Sequence, residues 1–93
     1  MNNMSNIINK EKIDNFHKLW EDLIYGKSGY EEEELLSFME SNKDYFLDKL
    51  CKDGKAMYLI LLERLRFVDK WDCCITDETI KNFEYLELRM RRR

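Results

Sequence analysis

Residues 57–62, Met-Tyr-Leu-Ile-Leu-Leu, form an unbroken apolar run, and Leu65, Phe67, Val68 and Trp71 extend it at helical spacing. Successive helical residues are turned by about 100°, so six in a row cover more than a full circumference. A helix that is apolar all round is buried rather than laid on a surface. The run therefore predicts a central helix over residues 55–70 with the other helices packed around it. The fold expected is all-α, a compact bundle of about five helices in one domain spanning residues 1–93, with 1–9 flexible and 91–93 frayed.

Composition agrees with that class. Apolar residues make up 44% and charged residues 38% of the 93-residue chain, enough of both for a packed core and a solvated surface. There is no proline to interrupt a helix, and the glycines are confined to positions 26, 29 and 54. No secretory leader is legible, since residues 1–9 are polar and Asn-rich. The 57–62 run is too short to span a bilayer and is followed directly by Glu63, Arg64 and Arg66. The three cysteines, Cys51, Cys73 and Cys74, are odd in number and include a vicinal pair, so reduced thiols and a cytoplasmic location are expected.

The helices carry start and stop signals. The first is predicted over residues 10–25, with Asn9 as N-cap and Gly26 beyond its end. Its inward face reads Ile13, Phe16, Trp20, Leu23 and Ile24. The second is predicted over residues 29–40, opened by a Ser28/Glu31 capping box and by four glutamates whose charge the helix dipole favours. Leu35, Phe38 and Met39 face inward. A short third helix, residues 42–52, follows a kink or break at Ser41–Asn42, packs Phe46, Leu47 and Leu50, and is ended by Gly54. After a turn at residues 71–75, Thr76 caps a fifth helix whose core face is Ile80, Phe83, Leu86 and Met90.

No motif points to catalysis. A phosphate-binding glycine loop, a nucleophile elbow and an HExxH pair are all missing from the sequence, so an enzyme is not expected. His17 is the one histidine, on the border of the first helix's apolar face, and is read as a partly buried structural residue rather than a general base. Cys73 and Cys74 with one distant histidine lack metal-ligand spacing, so neither a metal nor a cofactor is expected.

Charge is unevenly placed. Residues 1–46 carry five lysines against ten acids, net −5, whereas residues 47–93 carry eleven basic residues against nine acids, net +2. The last five residues hold four arginines, but the overall pI of about 5.2 is opposite to a nucleic-acid binder's footprint.

Binding is left as the expected activity. On the fifth helix, Lys81, Tyr85, Leu88 and Arg92 lie opposite the core face, and with Arg89 they combine the aromatic, aliphatic and arginine side chains typical of interface hot spots. Glu32 and Glu33 of the second helix would supply a secondary acidic rim. Tyr25, Tyr45 and Phe67 exceed what the assigned core faces absorb, a further sign of an interface. Two charges fall on apolar arcs, Arg64 beside Met57, Ile60, Val68 and Trp71, and Glu87 beside Ile80, Phe83 and Met90. A buried charge needs a partner, so Arg64 and Glu87 are expected to pair.

The function expected is a small protein-binding module acting as an inhibitor or adaptor. The Asn-, Lys- and Ile-rich composition matches an A/T-rich genome, and a phage or mobile-element accessory protein is one source that fits. Two alternatives stand beside it: nucleic-acid binding through the Arg89–Arg93 end, with Lys70 and Lys81 extending the patch, and self-assembly through a two-fold interface on the fifth helix, giving a homodimer. No membrane partner is expected.

Overall fold

A computed structural model describes residues 7–26, 30–67 and 76–91. It contains five helices: α1 (Lys10–Tyr25), α2 (Glu31–Ser41), α3 (Lys43–Lys49), α4 (Lys52–Phe67) and α5 (Asp77–Arg91). No strand occurs among the described residues. The predicted all-α class and five-helix bundle are both observed. The Ser28/Glu31 capping box, the 71–75 turn, Val68, Trp71, Cys73, Cys74 and Arg92 fall outside the described residues.

Helix α1 has the predicted bounds for the predicted reasons. The Asn9 side chain accepts the Glu11 backbone N–H at 2.7 Å. Gly26 adopts a left-handed conformation, φ 53°, and its N–H bonds to the Asp22 carbonyl at 2.9 Å. Of the stretch 1–9 expected to be flexible, Ile8 is buried in the core and Asn9 caps α1, while residues 1–6 lie outside the described residues. The Asn9 N–H donates to the Tyr45 hydroxyl at 2.9 Å, which binds this entry segment to α3.

Between α2 and α3 the chain is kinked rather than broken. Asn42 is at once the C-cap of one helix and the N-cap of the next. Its N–H and its side-chain amide both donate to the Phe38 carbonyl, at 3.0 and 2.9 Å, while its carbonyl accepts the Phe46 N–H at 3.0 Å. Lys12 of α1 donates to the Asn42 side-chain oxygen at 2.6 Å, fixing the joint against the bundle. Helix α3 ends at Lys49, and the extended Leu50 turns the chain into α4.

Helices α1, α2, α4 and α5 form a closed ring. α1 packs on α2 and α5, and α4 packs on the same two from the other side, with α3 set between α2 and α4. Each wall contributes part of the core: Ile13, Phe16, Trp20 and Leu23 from α1; Leu35 and Met39 from α2; Tyr58, Leu61, Leu62 and Leu65 from α4; Phe83, Leu86 and Met90 from α5. Phe46 and Leu50 fill the α3 corner. Trp20 stacks on Phe83 with planes 3° apart and centroids 5.7 Å apart.

Three expectations about α4 are corrected. It is one wall of the ring and not a buried centre, since Leu59 is 44% and Ile60 50% exposed. It begins at Lys52, and Gly54, expected to stop α3, is buried inside its first turn. There a methyl group would meet Leu50 Cδ2 at 3.0 Å and Leu50 Cβ at 3.3 Å, with the Arg89 Cβ of α5 at 3.4 Å, so the missing side chain chiefly makes room for Leu50 at the entry to α4 and leaves α5 in contact beside it. Finally, the buried face is Tyr58, Leu61, Leu62 and Leu65, not the arc through Ile60 and Arg64, both of which lie outside. A continuous apolar run carries no phase of its own. Gly54 against α5 and the Tyr58 hydroxyl, which donates to the Met39 carbonyl at 2.6 Å, fix the rotation instead.

Candidate functional site

The predicted α5 surface is divided between internal and external roles. Lys81 is exposed and Leu88 is 52% exposed, as a docking face requires. Tyr85 and Arg89 are half-buried and engaged with each other, the guanidinium lying 4.9 Å from the ring centroid. The Cβ of the same arginine lies beside Gly54, where α5 meets α4. Glu32 is half-buried and Glu33 exposed on α2, which faces α5 across the core rather than beside it. The acidic rim and the α5 face therefore do not form one surface. Glu31, the first residue of α2, is buried, in keeping with four successive glutamates covering a whole turn.

Glu87 carries the most elaborate polar site. Its Oε1 accepts from the Trp20 indole N–H and from His17 Nδ1, both at 2.9 Å, and its Oε2 accepts from Arg91 Nε at 3.0 Å. A carboxylate only accepts, so the His17 proton sits on Nδ1. Arg91 continues to Asp14 at 3.2 Å, and Asp14 also pairs with Lys10 at 3.1 Å. Those hydrogen bonds, to Lys10 first and then Arg91, hold the Asp14 carboxyl below its ordinary pKa. Two expectations change here. Glu87 pairs with His17, Trp20 and Arg91, not with Arg64, because α4 turns Arg64 outward. Arg91, expected in a frayed end, is in the last turn of α5 and bridges to α1. His17 is half-buried against Trp20, edge to face at 5.2 Å, which makes it a structural member of the network.

A cleft of about 210 Å³ opens above this network, walled by His17, Trp20, Glu84 and Leu88. It is small, and the His17, Trp20, Glu87 and Arg91 side chains at its floor are already bonded to one another. A wider, shallow groove between α1 and α2 passes Leu19, Tyr30, Glu33 and Phe38.

The surface that sequence reasoning missed is the outside of α4. Ala56, Leu59, Ile60 and Phe67 all face solvent on one side of the helix, with Phe67 74% exposed. Lys52, Lys55, Glu63 and Arg66 surround them. Scattered exposed apolar residues are ordinary; these are aligned on one helix face. The signal was in the run itself. Six apolar residues exceed the stripe that a one-sided helix can bury, so an excess must face outward unless the helix is enclosed. Of the three aromatics flagged as surplus, Tyr25 and Phe67 are exposed, while Tyr45 packs edge-on to Phe46 at 5.5 Å beneath Lys12 and Lys49.

Among the described residues no three His, Cys, Asp or Glu side chains cluster as a metal ion would need. No described helix is long and apolar enough to cross a membrane. Cys51 is an exposed free thiol. No protein-family model matches the chain, and neither a curated protein nor a solved structure shows significant similarity to it.

Proposed function

We propose that this protein is a non-enzymatic protein-binding module that docks through the outer face of α4. The observation that carries the reading is the aligned exposure of Leu59, Ile60 and Phe67 on a helix whose opposite side is fully packed. Burying such a stripe against an apolar partner surface gains about 25 cal/mol per Å² removed from water, and the charged residues around it supply a polar rim. Leu88 on α5 is a second, smaller contact point. Inhibitor or adaptor action would both work by such occupancy, without chemistry.

Nucleic-acid binding through the C-terminal arginines is less well supported. Of the arginines that reading uses, the two described are already engaged, Arg89 with Tyr85 and Arg91 with Asp14 and Glu87.

Site-specific photo-crosslinking in the native cell extract tests the reading. A photoreactive residue at position 60 is expected to capture a protein and one at the exposed position 81 is not, and Leu59→Asp in the same chain is expected to abolish capture at 60. Equal capture at both positions overturns a specific α4 site, and capture at 88 alone moves the site to the α5 cleft.

A further inference from the structure

We infer that the occupant of the α4 face is the α4 face of a second copy, laid antiparallel, an inference that rests on the docking role just proposed. Lys52, Ala56, Leu59 and Glu63 are all exposed and are spaced by four, three and four residues. That is the seam spacing of one helix packing along another. Reversed end for end, the seam meets itself. Ala56 falls opposite Leu59 in two central layers, and Lys52 falls opposite Glu63 in two outer ones, about a two-fold axis between residues 57 and 58. Small Ala56 against larger Leu59 allows close approach, with Ile60 flanking.

The charges choose both the partner and its direction. A partner that offers an anion to Lys52 and a cation to Glu63, separated by eleven residues or about 16 Å of helix, is the electrostatically favoured one. The same seam read backwards offers this pair at that separation. A parallel arrangement would set lysine against lysine and glutamate against glutamate, which is unfavourable. Among the described residues neither Lys52 nor Glu63 has an ion-pair partner within its own chain. A two-fold contact of this kind uses one patch on both copies, the usual way homodimers form.

Sedimentation equilibrium of the full chain at low salt, up to about 1 mM, tests the inference, because a four-layer seam is small for a tight interface. The wild type is expected to dimerise, and K52E and E63K each to weaken the dimer by on the order of tenfold or more, since each places like charges at both ends of the seam. An equimolar mixture of K52E with E63K, and the K52E/E63K double variant alone, are both expected to restore it. Both residues are exposed, so circular dichroism is expected to show unchanged helicity in every variant. A dimer indifferent to both reversals overturns the seam, and a monomer at all concentrations overturns the second copy as occupant. Crosslinking at position 60 decides separately whether α4 docks any protein, so failure of the pairing and failure of the docking role are distinguishable.

Discussion

Glu87 does the work of three contacts with one carboxylate. Its side chain is only 13% exposed, and it satisfies an indole N–H, an imidazole N–H and a guanidinium on two helices. Glu87→Ala leaves the buried Trp20 N–H without its acceptor and is expected to lower unfolding stability by about 1–3 kcal/mol, measured by urea denaturation. Glu87→Gln keeps a neutral acceptor for Trp20 and should cost less. Tyr58 is the comparable residue on α4. Its fully buried hydroxyl donates to a carbonyl in the last turn of α2, where helix carbonyls lack partners of their own. Burial raises its phenol pKa well above the ordinary value. The unfolded chain therefore loses this proton first, from about pH 10 upward, and stability contributed by Tyr58 falls as pH rises through that range. Tyr58→Phe is expected to be less stable at neutral pH and to show a shallower loss of stability above about pH 10.

At the scale of the helices, boundaries were legible wherever a side chain or a glycine performs one local task. Asn9 and Gly26 bracket α1 as read, and Thr76 opens α5 by accepting the Thr79 N–H at 3.3 Å. Gly26→Ala forces a side chain into a left-handed backbone and is expected to cost about 1 kcal/mol, seen as a lowered thermal midpoint. Gly54 was misread because a glycine signals a helix end and a close helix contact with the same letter. Only the packing around it, Leu50 at the chain's entry to α4 and Arg89 on α5, distinguishes them. Gly54→Leu should crowd Leu50 and α5 and destabilise by about 1–3 kcal/mol, read by urea denaturation. The rotation of α4 was illegible for a related reason. With apolar residues at every position from 57 to 62, periodicity gives no preferred face, and packing on α2 and α5 makes the choice.

Across the whole molecule, two ion pairs join the basic second half of the sequence to its acidic first half. Arg66 of α4 reaches Glu40 of α2 at 2.8 Å, and Arg91 of α5 reaches Asp14 of α1, so basic residues late in the chain tie down acidic ones early in it. Such exposed pairs contribute about 0–1 kcal/mol each, and Arg66→Ala is expected to change stability by no more than that. The candidate site was half legible. Exposed Leu88 and Lys81 on α5 followed from their helical phase, but the α4 face was hidden behind the assumption that an apolar run must be enclosed. A ring of four helices has no enclosed member, which is why the excess faces out. The measurement that bears most directly on this account is a dilution series of two-dimensional amide NMR spectra. Resonances of Lys52, Ala56, Leu59, Ile60, Glu63 and Phe67 are expected to shift with concentration while those of α5's outer face stay fixed. Shifts centred instead on Lys81 and Leu88, or spectra independent of concentration, would contradict docking of α4 on a second copy.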